Sequence, residues 1–180
     1  TASTLGFSSL VLPDGLEEIG CYAFANCEMS DVQIPESVRV IEYGAFYSCD
    51  TFTEVVLPKH LDVLGYSPAY EYFILKTRTE FEKWDNSISD NYAGPFSSCE
   101  NLEKVTLPES LETIGIGCFY ESKKITTIER WPQNLKTIEY DAFGMFESSI
   151  PISFSDFPES LDYIMDFAFE NRKYSDDLYD

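Results

Sequence analysis

A motif of about two dozen residues recurs along most of this 180-residue chain, and a repeat of that period restricts the fold to stacked architectures. The clearest pair of windows is VQIPESVRVIEYGAFYSC at 32–49 and VTLPESLETIGIGCFYES at 105–122, with the same apolar slots around a shared Pro-Glu-Ser. Aligning on the aromatic residue of the Ala-Phe pair gives a ladder of Phe24, Phe46, Tyr70, Phe96, Phe119, Phe143 and Phe169. It predicts seven units at steps of 22 to 26 residues.

The other slots follow the ladder. Pro13, Pro35, Pro108, Pro132 and Pro158 each stand eleven residues before an anchor, and Pro58 stands twelve before Tyr70. In the fourth window Asp85 takes the proline's place and Asn91 interrupts the isoleucine slot held elsewhere by Ile19, Ile41, Leu64, Ile114, Ile138 and Ile164. Three residues beyond the anchor, Cys27, Cys49 and Cys99 share one slot.

Val32-Gln-Ile34, Val55-Val-Leu57 and Val105-Thr-Leu107 alternate like short strands, and each ends at a proline that has no N–H to continue a ladder. A second short extended stretch follows, then a compact turn or single helical turn around Ala-Phe. One unit cannot bury its apolar side alone, so coils must stack on one another. The expectation is a repeat solenoid of short parallel strands and turn or short-helix segments. It has about seven coils, in a single domain over residues 1–180 with repeats from about 10 to 172.

The unit resembles the BspA-like leucine-rich repeats, with a pattern similar to L-x-x-V-x-I-P-x-S-V-x-x-I-G-x-x-A-F-x-x-C. Leu102 to Cys118 and Ser30 to Cys49 follow it closely. The resemblance implies a right-handed leucine-rich-repeat solenoid, extracellular or on the cell surface, of a kind associated with adhesion. It brings no catalytic motif, and the 180 residues fit either a mature protein or a piece of a longer array.

Lys plus Arg number 12 against 32 Asp plus Glu, a formal charge of −20, which repels nucleic acid and anionic lipid. Thr1 to Leu12 lacks the form of a signal peptide, and no run approaches a membrane span. The five cysteines, at 21, 27, 49, 99 and 118, have neither zinc-ribbon nor Cys-x-x-Cys spacing. Cys27 and Cys49 are expected as neighbours in one column, roughly 4.8 Å apart, packing as thiols rather than as a disulfide. The one histidine, His60, sits just after a repeat proline with no nucleophile elbow in sight. Glu17-Glu18, Asp85 with Asp90, and Asp176-Asp177 with Asp180 lack the spacing of calcium loops and are expected to be solvated. No cofactor or metal is expected.

Function is therefore expected on the outside of the coils. Strand positions that face away from the core, Asp31, Gln33, Glu54, Val56, Lys104 and Thr106, vary in chemistry while the core slots do not. They are the candidate face for a protein or glycan ligand. The competing expectation is a spacer or assembly scaffold with no ligand of its own. Tyr22, Tyr43, Tyr66, Tyr92 and Tyr140, just before the anchors, are expected to pack over the turns. Uncapped end coils would allow self-association.

Overall fold

The computed structural model describes residues 10–29, 32–65, 94–144 and 156–170. The strands are β1 (Leu10–Val11), β2 (Glu18–Ile19), β3 (Val32–Gln33), β4 (Val40–Ile41), β5 (Glu54–Val56) and β6 (Val63–Leu64). There follow β7 (Lys104–Thr106), β8 (Thr113–Ile114), β9 (Thr127–Ile128), β10 (Thr137–Ile138) and β11 (Tyr163–Ile164). Every pairing among them is parallel, and each joins equivalent positions of stacked coils. The result is a β-solenoid in which, among the described residues, turns rather than α-helices connect the strands.

Each of the first five described levels carries one strand on either side of the proline, and the last carries β11 after it. The strands before it form β1-β3 and β5-β7-β9; those after it form β2-β4-β6 and β8-β10-β11. The proline ends the first strand because its nitrogen has no hydrogen, and its carbonyl then closes a turn. The same bond recurs along the stack, from the N–H of Leu16, Val38, Leu61, Leu111, Leu135 and Leu161 to the carbonyl of Pro13, Pro35, Pro58, Pro108, Pro132 and Pro158. The Ser two residues after the proline ties the turn to the coil below: Ser37 donates to the Leu16 carbonyl, Ser110 to Leu61 and Ser160 to Leu135.

The anchors form one column. Phe24, Phe46, Phe96, Phe119, Phe143 and Phe169 stack ring on ring with successive centroid distances of 5.5, 5.1, 5.9, 5.2 and 5.2 Å. These spacings are close to the roughly 4.8 Å between strands, so one ring per coil fills the column. Val38, Leu61, Leu111 and Leu135 are fully buried beside it, and Ile41, Leu64, Ile114 and Ile138 nearly or fully so.

The column corrects the expected seven coils to about five turns across six stacked levels. Phe46 lies directly on Phe96, and the Phe46 N–H donates to the Pro95 carbonyl at 2.8 Å, which leaves no level between them. β5 pairs with β7, bringing Glu54 opposite Lys104. The third and fourth sequence windows are thus one coil: the third supplies its two strands, and the fourth supplies its anchor. Tyr70, Asp85 and Asn91, on which the extra unit rested, lie outside the described residues.

The anchor turn has a fixed backbone signature. With Gly94, two before Phe96, as the exception, described residues two before and two after the phenylalanine take positive φ: Tyr22, Gly44, Gly117, Asp141 and Phe167 before it, and Asn26, Ser48, Ser98 and Glu121 after it. At Gly44 (φ +62) a Cβ would lie 2.6 Å from the Tyr22 ring of the coil below, a crowding added to the strain that the left-handed backbone puts on any side chain.

Candidate recognition surface

The pre-proline strands alternate, so their middle residues point inward and their flanking residues outward. Val55 and Val105 are buried, whereas Glu54 is exposed and Val56 is 57% exposed. Ladder register sets Glu54, Lys104 and Thr127 side by side, and Val56 beside Thr106. Four of the six candidate residues, Glu54, Val56, Lys104 and Thr106, therefore share one small outward sheet. Gln33 is also exposed, but it belongs to the separate β1-β3 pair. Asp31 lies outside the described residues.

These side chains engage one another. Lys104 Nζ lies 2.8 Å from Glu54 Oε1 and 2.6 Å from Glu129 Oε1, while Thr106 Oγ1 donates to Glu129 Oε2 at 3.1 Å. Hydrogen bonds donated to Glu129 and Glu54 hold the Lys104 ammonium well above the ordinary lysine range. Bonds from Lys104 and then Thr106 lower the Glu129 carboxyl. Glu54 and Glu129 are exposed and Lys104 and Thr106 half-buried at the surface, so salt screens the network and its contribution to stability is small.

Glu129 belongs to this surface although slot counting misses it. It stands two residues before Trp131, where Val55 and Val105 point inward, but the β7-β9 register advances by 23 residues while the prolines advance by 24. The extra residue lets Glu129 turn out beside Thr106. Uneven repeat length was the only signal of it in the sequence.

The outward surface is interrupted. β3 pairs with β1 and β5 pairs with β7, but β3 and β5 do not pair with each other. A cleft of about 390 Å³ opens between them, lined by Val32, Gln33, Ile34, Glu36, Glu54 and Val56 among others. The same two coils are joined elsewhere. β4 pairs with β6, Arg39 Nε meets Asp62 Oδ2 at 2.8 Å, and the Lys59 N–H donates to Glu36 Oε2 at 2.9 Å.

The remaining chemistry-bearing residues serve the stack. All five cysteines are free thiols. The Cys49 thiol donates to the Phe24 carbonyl at 3.1 Å and Cys99 to the Phe46 carbonyl at 3.3 Å. Ser122 occupies the equivalent place, donating to the Phe96 carbonyl at 2.6 Å and accepting the Cys99 N–H at 3.1 Å. Burial pushes the Cys49 thiol up to about 12, which keeps its proton in place for that bond. His60 is exposed in a proline turn. Tyr43 is buried, Tyr22 sets its ring edge against it at 5.5 Å, and Tyr140 packs on Phe167 at 5.3 Å. Tyr66 and Tyr92 fall outside the described residues.

Basic side chains mostly bridge coils. Arg39–Asp62, Lys59–Glu36, Lys104–Glu54, Arg130–Glu109 and Lys136–Glu112 each span one coil boundary. Two carboxylates also reach the backbone of the coil below: Glu42 accepts the Cys21 N–H and Glu139 the Ile116 N–H, both at 3.0 Å.

Known proteins share this architecture. The BspA type leucine rich repeat region, in 6 copies, matches residues 2–92 and 86–178. A leucine-rich repeat protein from Bacteroides ovatus superposes with a TM-score of 0.62 at 29% identity, over 89% of this chain and 34% of its own. A second, from Eubacterium ventriosum, shares the fold at a TM-score of 0.55 and 21% identity, over 96% of this chain and 45% of its own. The chain thus spans between a third and a half of these two structures. No curated protein matches it significantly. With the repeat, the parallel stack and the anchor column in agreement, the chain belongs to the BspA-type leucine-rich repeat family.

Proposed function

We propose that this chain is a non-catalytic recognition module of a surface-exposed or secreted bacterial protein, contacting a protein or glycan ligand through the outward faces of β5, β7 and β9 and so mediating adhesion. The observation that carries this reading is the contrast between the two sides of those strands. Inward positions repeat the same residue classes, whereas outward positions set Glu54, Val56, Lys104, Thr106 and Glu129 side by side on one exposed sheet. A scaffold needs the first property only.

The test is a panel of extracellular-matrix proteins and a glycan array, probed with the chain and with the triple variant Glu54→Ala, Lys104→Ala, Thr106→Ala. Loss of at least about tenfold in binding to whichever ligand the parent chain selects is the expected result, since polar contacts within an interface centre carry much of its affinity. Undiminished binding by the triple variant would move the ligand off this face. A parent chain with no ligand in either panel would favour the spacer reading.

A further inference from the structure

We infer that the cleft between β3 and β5 accepts an extended peptide carrying a lysine or arginine, added to the sheet as an extra strand. The inference rests on the recognition reading above and names a partner chemistry for one part of it.

Backbone bonding gives the first argument. A strand inside a parallel sheet turns alternate residues toward opposite neighbours. The Leu57 N–H donates to the Thr106 carbonyl, and the Thr53 carbonyl accepts from Glu103 and Lys104. Thr53, Val55 and Leu57 therefore face β7, which turns the N–H and carbonyl groups of Glu54 and Val56 toward β3. There the ladder stops. Main-chain polar groups along a strand edge are a template for another strand, and here two such edges face one another.

Shape gives the second. The two coils stay joined through β4 and β6 and through the Phe46 and Phe96 rings, so the opening is a wedge, closed behind and open toward the outward face. Its volume of about 390 Å³ falls in the roughly 300–1,000 Å³ range of ligand sites. β3 has two residues and β5 three, and at about 3.3 Å per residue such edges match a peptide stretch of roughly three residues. Insertion between two existing strands is a known mode of strand addition.

Charge selects the occupant. Glu36 and Glu54 stand on the rim with Val32, Ile34 and Val56 between them, and the whole chain carries −20. Lys104, the cation nearest Glu54, is shared with Glu129. A peptide that alternates apolar and basic side chains meets apolar walls on one side and carboxylates on the other; an acidic peptide is repelled.

The probe is fluorescein-labelled Val-Lys-Val-Lys-Val, titrated by anisotropy, with a copy N-methylated at alternate amides and with Val-Glu-Val-Glu-Val as comparisons. The parent peptide should bind, with the N-methylated and acidic copies weaker by at least about tenfold. Val56→Pro removes a single N–H on the cleft side and leaves the bonds to β7 in place, and it should weaken the parent peptide by a similar factor. Should that variant fail to fold, the N-methylated peptide decides. Amide exchange supplies a second readout: the Val56 N–H should exchange faster than that of Leu57 in the free chain and slow on adding peptide. Equal binding of parent and N-methylated peptides would overturn the inference, as would a Val56 amide already as protected as Leu57. Self-association that the peptide displaces would put a second copy in the cleft and would equally overturn it. A chain that binds a matrix protein or glycan in the panel above but neither peptide loses the cleft and keeps the recognition reading.

Discussion

The boundary between the second and third coils is closed on one flank and open on the other. On the anchor flank, Phe46 and Phe96 stack at 5.1 Å although 50 residues separate them in sequence. Across the pre-proline strands, β3 and β5 remain unpaired although only about 22 residues apart. Sequence proximity therefore does not decide which parts of the coils join. The anchor flank offers a full aromatic ring per level, a buried thiol donating to the carbonyl below and repeated backbone bonds; the pre-proline flank offers short strands whose outer side faces water. Stability concentrates where apolar burial does, and the other flank is left to specialise.

That contrast is sharpest in a pair of substitutions. Phe119→Ala empties the middle of the column, between Phe96 and Phe143, and should cost about 3–5 kcal/mol by denaturant unfolding. Val56→Ala on the open flank should stay within about 0.5 kcal/mol of the parent chain. Comparable losses at the two positions would break the comparison.

A polar test of the closed flank is expected to be smaller. Ser122→Ala strips the buried Cys99 N–H and Phe96 carbonyl of their shared partner, and should lower stability by about 1–3 kcal/mol. Ser122→Cys restores the donor found at Cys49 and Cys99, and should recover part of the loss. If Ala and Cys prove equivalent at 122, the side-chain bonds along this column carry no weight.

The smallest effect is a pH dependence. Burial raises the Glu139 carboxyl above its ordinary value, although its bond from the Ile116 N–H works the other way. The folded chain then holds that proton more tightly than the unfolded one, so this group's contribution to stability grows as pH falls through its folded-state value and is complete below the ordinary value of about 4.3. Glu139→Gln keeps an acceptor for Ile116 without the buried charge. Its melting temperature should exceed the parent's at pH 7, with the gap closing toward pH 4. A variant that melts lower at pH 7 would show that the charge strengthens the coil boundary.

Much of this was legible in the sequence. The ladder of Phe24, Phe46, Phe119, Phe143 and Phe169 is the column, and the Pro-Glu-Ser windows are its turns. The miscounted coils show where legibility ended. Val55-Val-Leu57-Pro58 through Gly65 has the strands of a unit, and Gly94-Pro95-Phe96 through Cys99 has its anchor. The intervening residues happened to restore the expected spacing, so one interrupted coil counted as two. Asp85 in the proline slot and Asn91 in the isoleucine slot were the signs, since neither meets the slot's physical demand.

The candidate face divides in the same way. Alternation sets Glu54 and Val56 on the opposite side of their strand from buried Val55, and Lys104 and Thr106 from buried Val105, as a local property of each strand. Glu129, the second carboxylate on Lys104, depended on one extra residue shifting the register, and the gap beside β3 depended on which strands pair. Composition and periodicity by themselves determined that this chain stacks, because no unit can bury its apolar side alone. Only the tertiary structure decided how many levels there are and where the sheet parts, because those follow from contacts between coils, and a sequence window carries no record of its neighbour across the stack.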